Sequence, residues 1–479
     1  MDRQKFVRTY SEKLLEGSAS AFVGAGLSMA AGYPSWKQLL ADIADELDID
    51  LDAESDLAGV AQWYINHQKK QRTQIGRVIA KAFPPVKVPP ETLRVLARLP
   101  LRHLWTTNYD QLIEAAWDHA GKSLAVRTRP EQLSVPDPAS HGTLYKMHGS
   151  VDDPSAVVIA KEDYELYRRE KGAFFHLLTG HAIGMHFLFL GFSFTDANIS
   201  HLFSLLREVL PDTPKEHYAI VKRPAAAQGR ASAKTKERSR RELSRHRHWV
   251  ADLQRYGIQC VEIDDYSEIC DILKEVERRV SRTSVFVSGS YPEERTQTAE
   301  GRLVVEVSEG LGRLIGTLGC RLVSGFGLTV GSAAIAGRLG EVYKHKHVHL
   351  DSALLLRPFP QSIPKATKKD DFFARYREDL VLQGGICVVV GGIKKQNRQF
   401  AVAPGVIAEA TIARSNGRPV VPLGFTGGAA QELWQQMRRL PAADRGGISD
   451  KDFEELGKTP TSVPAYLALV DKILKRLSA

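Results

Sequence analysis

Short, nearly unbroken apolar runs punctuate the first half of the chain, at residues 21–23, 102–105, 144–147, 187–190, 217–221 and 258–263. Runs of this length without polar alternation predict strands buried on both faces, as in a parallel sheet. Between them, apolar positions recur at helical spacing over 38–47, 57–67, 73–83, 111–117 and 161–180. The second half restarts the same alternation, with strands at 285–290, 321–324 and 386–391 and helices at 300–316, 331–343 and 405–415. Such alternation predicts an α/β protein with two Rossmann-like parallel sheets, the first accompanied by a helical subdomain. The charged stretch 275–279 gives way to Ser281-Arg282-Thr283 before a fresh strand at Ser284, so the expected domains are 1–280 and 284–479.

The strands of the first half end in small or polar residues. Ala21-Phe22-Val23 runs into Gly24, Ala25 and Gly26, with Ser28, Gly32, Pro34 and Trp36 following. The next endings carry Thr106-Thr107-Asn108-Tyr109-Asp110, His148-Gly149-Ser150, and Gly191-Phe192-Ser193-Phe194 with Asn198 beyond. Ligands of open parallel sheets sit outside the carboxyl ends of the strands, so these four endings predict one crevice. Two glycines after a strand let backbone N–H groups approach a pyrophosphate, and the next helix adds the positive end of its dipole. A tight turn with no room for a Cβ gives the same triplet. His148 suits a proton acceptor near neutral pH or a satisfied core histidine. Asn108 and Asp110 suit ligand contacts or helix caps.

Composition adds limits. The 479 residues are long enough for several domains, and no apolar run reaches the length of a membrane span. The opening Met1-Asp2-Arg3-Gln4-Lys5 lacks the apolar core of a signal peptide, so a cytoplasmic address is expected. The four cysteines, Cys260, Cys270, Cys320 and Cys387, offer neither a disulfide framework nor the paired spacing of a zinc site. The formal net charge is +9. Within 222–247 stand ten Lys or Arg against Glu237 and Glu242, so this one segment holds nearly all the excess. It reads as a solvated loop leading into an exposed helix, because no aromatic residues interleave the cations as base stacking would require.

The motifs Gly-Ala-Gly-Leu-Ser, Thr-Thr-Asn-Tyr-Asp and His-Gly-Ser, in that order and spacing, resemble the sirtuin NAD-binding domain over about 10–275. The deacetylases of that family carry two Cys-x-x-Cys pairs that this chain lacks, so the resemblance does not extend to a zinc module or plainly to acyl-lysine substrates. In the second half, Ser288-Gly289-Ser290 and Ser324-Gly325-Phe326-Gly327 resemble the SLOG group of nucleotide-ligand domains. Nucleotide-hydrolysing relatives of that group follow a Pro-Gly-Gly loop with paired glutamates, whereas Pro404-Gly405 here leads to Glu409 alone. A sensor is expected there, with Gly289, Ser290 and Gly325 as the cradle and Arg375, Lys394 and Glu409 as polar grips. Arg375 equally suits an exposed helix face, and Lys394 a solvated loop.

A zinc-free sirtuin-like domain joined to a SLOG-like domain resembles the effector family of the bacterial Thoeris antiphage system. That resemblance implies an NAD glycohydrolase with NAD as substrate and no metal. It implies activation by a cyclic ADP-ribose isomer made by a TIR-domain partner protein, with a homotetramer that stacks into filaments. It places Gly24, Ala25, Gly26 and Ser28 at the pyrophosphate, Asp110 near the nicotinamide ribose, and Ser193 and Asn198 at the adenosine end. Asn108 and His148 become the catalytic pair. Two other functions fit parts of the chain: an NAD-dependent protein deacylase, and a nucleotide-gated nucleic-acid-binding protein using the basic segment.

Overall fold

The computed structural model describes residues 1–86, 88–194, 196–209, 214–227, 232–344, 349–360, 368–396 and 399–478. The chain divides into two units, Met1–Glu277 and Arg278–Ala479. The protein is α/β, and each unit is built on its own parallel sheet.

In the first unit the strands are β1 (Ala19–Val23), β2 (His103–Thr106), β3 (Leu124–Arg127), β4 (Gly142–Lys146), β5 (His186–Leu190), β6 (His217–Lys222) and β7 (Ile258–Ile263). Their spatial order is β3-β4-β2-β1-β5-β6-β7, so the chain reverses direction across the sheet between β1 and β5. β1 is buried along its whole length, as expected of a strand covered by helices on both faces. Trp105 of β2 stacks on Tyr145 of β4 with ring centroids 4.4 Å apart, and its indole N–H donates to His181 Nδ1 at 3.1 Å. Burial pushes the His181 imidazole down to about 4, which keeps that nitrogen an acceptor.

Helices Leu57–His67 and Thr73–Ala82 occupy the expected stretches and share a separate apolar cluster with Val157, Ile159 and Ala160. Two expected helices are broken instead. Residues 36–46 form Trp36–Leu39 and Ala41–Glu46, parted at Leu40, and 161–184 form Lys161–Glu165, Tyr167–Glu170 and Gly172–Gly184. The last break falls at Lys171, which leaves helical geometry at φ −127°. The basic segment ends in the 23-residue helix Ala233–Arg255, which buries Ser239, His246 and Leu253 at intervals of seven. Its arginines Arg238, Arg240 and Arg241 are exposed and pair within the helix with Glu242 and Glu237. Arg230 lies outside the described residues.

The second unit contains β8 (Ser284–Ser290), β9 (Arg321–Ser324), β10 (Leu354–Leu356), β11 (Ile386–Gly391), the hairpin β12 (Ile393–Gln396) and β13 (Gln399–Val402), and β14 (Val420–Leu423). The parallel order is β10-β9-β8-β11-β14, which reverses between β8 and β11. Helices Ala299–Thr317, Val330–Val342 and Pro404–Ser415 pack on this sheet around one continuous core.

Candidate active site

Four strand ends of the first unit fall in one row. Val23 pairs with Thr106 on one side and Leu190 on the other, and Thr106 pairs with Lys146. The loops after β1, β2, β4 and β5 therefore leave the sheet side by side at its reversal point, where open α/β sheets bind ligands. Asn108 and His148 each stand two residues past a paired position, Thr106 and Lys146, on neighbouring strands.

The turn after β1 is shaped by β5. Gly24 donates to the Leu190 carbonyl and Gly26 to that of Gly191, both at 2.8 Å. A Cβ on Gly24 would collide with the Gly191 carbonyl oxygen and lie 2.8 Å from Phe192 Cα; on Gly26 it would lie 2.8 Å from Gly191 Cα. Gly191 itself has φ +60°. Packing of two turns, independent of any phosphate, thus accounts for both glycines. The helix that Ala25 opens is five residues long, so the dipole expected there is short.

Ser28, on that helix, joins the first two loops. Asn108 Nδ2 donates to Ser28 Oγ at 2.9 Å, and Ser28 Oγ donates to Asp110 Oδ2 at 2.7 Å, with all three residues buried. Asp110 Oδ1 also accepts from the Leu112 amide at 3.0 Å, holding the start of helix Leu112–His119. Asp110 therefore both ties down the first amide of that helix and orients Ser28. Asn108 is held further by its amide, which donates to Thr106 Oγ1, while Thr106 Oγ1 donates to the Val23 carbonyl.

Beneath this loop lies Lys146, fully buried. Its ammonium donates to the carbonyls of Asp110 at 2.6 Å and Tyr109 at 3.3 Å, and to Glu114 Oε1 at 2.8 Å. Burial pushes the Glu114 carboxyl up, and Lys146 pulls it back. A charge in the middle of an apolar strand was the available signal for this residue, since a buried ammonium needs partners.

His148 is buried, and its ring sits edge-on to Tyr164 and Tyr167 at centroid distances of 5.6 and 6.0 Å. Its Nε2 makes no hydrogen bond among the described residues, and the nearest charge is Asp196 Oδ2 at 3.6 Å. Burial holds the imidazole below its ordinary value, so it is neutral at pH 7; Asp196 and Asp163 oppose that shift and Lys171 reinforces it. The loop behind it is clamped by Arg72, which forms a two-pronged pair with Asp163 at 2.7 and 3.1 Å and donates to the Val157 carbonyl. Of the two residues expected at the adenosine end, Ser193 is exposed, and Asn198 has a buried Nδ2 without a partner among the described residues. Asp196, between them, is the residue that sequence reasoning missed.

In the second unit Gly289 and Ser290 close β8, and Gly325 directly follows β9. Gly289 allows the Val390 carbonyl to press against it, and Gly325 leaves room for Leu380 and the Phe359 ring. Ser290 donates from Oγ to the Ile393 carbonyl at 3.1 Å, which commits its hydroxyl to the hairpin. Glu409 is buried and accepts from Ser288 Oγ; burial raises its carboxyl, and Ser288 and Arg377 lower it. Arg377 Nε lies 3.7 Å from Glu409 Oε1, and its guanidinium lies 5.3 Å from the centroid of the Phe359 ring. Arg375 stands exposed on the same helix, Lys369–Val381, so the arginine that meets Glu409 is Arg377. Lys394 is half-buried on β12.

Among the described residues no cluster of three or more His, Cys, Asp or Glu could hold a metal ion, and no helix is long and apolar enough to cross a membrane. A SIR2-like domain model matches residues 102–248, and the model of the Sir2- and TIR-associating SLOG family matches 268–477. Fold and site thus define a two-domain protein with a Sir2-like first unit and a SLOG-type second unit. The curated protein "NAD(+) hydrolase ThsA" of Enterococcus faecium is 36% identical, covering 91% of this chain and 91% of its own. Its namesake in Bacillus cereus (strain MSX-D12) is 34% identical over 99% and 98%, and that of Cytobacillus dafuensis 33% over 91% and 88%. The chain belongs to the ThsA family of NAD(+) hydrolases.

Proposed function

We propose that the first unit cleaves NAD to nicotinamide and ADP-ribose, with Asn108 and His148 as its catalytic residues. The observation that carries this reading is that two neighbouring strand ends carry, side by side, a carboxamide fixed by Ser28, which Asp110 orients in turn, and a buried neutral imidazole. Nicotinamide leaves NAD as a neutral molecule from a cationic precursor, so departure needs no general acid, and the transition state has oxocarbenium character. What the protein must supply is position and a proton acceptor. Asn108 orients the attacking water or the ribose hydroxyls, and His148, neutral at pH 7, accepts a proton. Gly24, Ala25, Gly26 and Ser28 line the pyrophosphate side, with Asp110 behind the ribose and Ser193 and Asn198 toward the adenosine.

The second unit, in this reading, binds a cyclic ADP-ribose isomer supplied by a TIR-domain protein, and this ligand shifts a resting oligomer toward the cleaving form. A ligand can do so only by binding the active form more tightly. NAD depletion in phage-infected bacteria is the proposed outcome. Chromatography of the purified chain mixed with NAD, with and without a cyclic ADP-ribose isomer, tests both halves. Nicotinamide that rises only with the isomer supports the whole, nicotinamide independent of it removes the sensor, and none under either condition removes the enzyme.

A further inference from the structure

We infer that Asp196 is the positioning carboxylate of His148: its Oδ2 faces Nε2 across 3.6 Å inside the first unit, and it is held there by its own helix. The inference deepens the proposed NAD cleavage and rests on it. Asp196 divides its two oxygens between two tasks. Oδ1 accepts from the amides of Asn198 and Ile199 at 2.9 and 3.1 Å, the pattern of an N-cap, and its carbonyl accepts from Ser200 at the start of helix Ala197–Val209. Oδ2 is left pointing at the imidazole. With the first oxygen fixed by two backbone amides, the second cannot swing away without undoing the helix start.

The pair is nearly dry. The side chains are 4% exposed for His148 and 13% for Asp196. Nε2 is fully covered yet has no hydrogen-bond partner among the described residues. A buried ring nitrogen left without a partner is costly, and the carboxylate in ion-pair range can satisfy it. The separation exceeds a hydrogen bond, as is usual for catalytic pairs that tighten only around substrate. The other groups that act on the imidazole are Asp163 from the clamped loop, Lys171 at the head of helix Gly172–Gly184, and the Tyr164 and Tyr167 rings. Of the three charged groups, Asp196 is the one in ion-pair range of the ring.

A carboxylate at Nε2 selects the tautomer with the proton on that nitrogen, which leaves Nδ1 as the base. The C1′–N bond breaks with its electron pair going to the pyridinium, which departs as neutral nicotinamide. A water oxygen bonds to C1′, and its proton passes to Nδ1 and later to solvent. While that proton resides on the ring, Asp196 faces the imidazolium it stabilises. Asp196 does not touch the reacting atoms.

Asp196→Asn and Asp196→Ser in the full chain test this, since both residues can still cap the helix. We expect kcat for nicotinamide release to fall at least tenfold with KM within about twofold, because substrate contacts are untouched. The acid limb of kcat should move down by about one pH unit, since an imidazole without its carboxylate holds a proton less tightly. Histidine labelled with 13C at Cε1, with His148→Gln to assign the signal, reads the same shift in the absence of NAD. A merely structural cap would lower activity or stability without moving either midpoint. Equal His148 midpoints in the parent chain and both variants, or a ring that stays neutral down to acid unfolding in all three, overturns the inference. A parent chain that releases no nicotinamide sinks the proposed reaction but leaves the histidine titration to judge the pair.

Discussion

Asn108 and Ser28 are joined by a buried hydrogen bond of 2.9 Å, and the serine proton goes on to Asp110 at 2.7 Å. One hydroxyl thus serves as acceptor and donor between two side chains of the neighbouring loop. Ser28→Ala removes it and leaves a buried amide N–H and a carboxylate oxygen each short of a partner. We expect a loss of about 1–3 kcal/mol in unfolding free energy, the cost of stranded buried polar groups, together with a fall in NAD cleavage as Asn108 loses its orientation. Urea unfolding and nicotinamide release measure the two effects. A variant unchanged in both would show that the bridge organises nothing.

Asn108→Ala and His148→Ala should behave differently from Ser28→Ala. Each removes a group that the proposed chemistry uses, and a positioned base is worth about 10² to 10⁴ in rate. We expect NAD cleavage to drop by that order in each, with the far-ultraviolet spectrum of the folded chain retained. Near-normal turnover by either purified variant removes that residue from the site.

Much of this arrangement was legible in the sequence because strands buried on both faces announce themselves as apolar runs, and the residues behind them must then lie at one edge of the sheet. The alternation around 21–36, 102–117 and 285–343 carried both sheets. What escaped notice depends on partners distant in the chain. Gly24 and Gly26 read as a phosphate cradle, but the Gly191 turn, far along the sequence, also demands them. Asp196 lies in a stretch that reads as ligand-binding loop, and nothing local shows that its second oxygen points at His148. Arg377 was recoverable: it falls three and four residues before Leu380 and Val381, the buried positions of its helix, so the helical repeat places it on the inner face and Arg375 outside.

Gly24→Ala separates the two readings of the glycine turn. If the glycine serves only the phosphate, the variant is stable and merely binds NAD less well. The structure puts Gly191 and Phe192 backbone where the new methyl would go, and backbone yields less readily than a side-chain tip. We expect destabilisation of about 1–3 kcal/mol without any nucleotide present, the usual cost of overpacking. Thermal unfolding of the nucleotide-free chain decides it, and an unchanged midpoint would return the glycine to the phosphate.

Acid sensitivity of the first unit follows from its buried histidines. The Phe187 amide donates to His217 Nδ1 at 3.2 Å, and burial pushes this imidazole down to about 3, with His181 down to about 4. Above the ordinary histidine value of about 6.5 both rings are neutral in the folded and unfolded chain, so they cost nothing. Below it the unfolded chain takes up protons that the folded chain refuses, and stability falls as pH drops toward the folded values, by up to about 1.4 kcal/mol per pH unit for each ring. Urea midpoints read by tryptophan fluorescence should therefore decline between pH 6.5 and 5, before most carboxylates titrate. His217→Gln, whose side-chain oxygen can still accept from Phe187, should make that decline shallower. An identical slope would mean that the ring does not resist protonation.

Arg377 and Arg375 offer a matched pair in the second unit. Glu409 is buried, accepts from Ser288, and among the described residues has Arg377 as its ion partner at 3.7 Å. Arg377→Ala leaves a buried carboxylate with less to hold its charge, so the carboxyl rises further and the unit loses stability. Arg375 is exposed, and Arg375→Ala should leave the unfolding midpoint within about 0.5 kcal/mol of the parent. That contrast makes the exposed position the cleaner probe of ligand binding. If Arg375→Ala, equally stable, loses the response of NAD cleavage to a cyclic ADP-ribose isomer, the loss reports a contact with the ligand, because no packing has been disturbed. If it responds in full while Arg377→Ala does not even when folded, the grip belongs to the inner arginine, and ligand binding must then compete with Glu409 for its guanidinium.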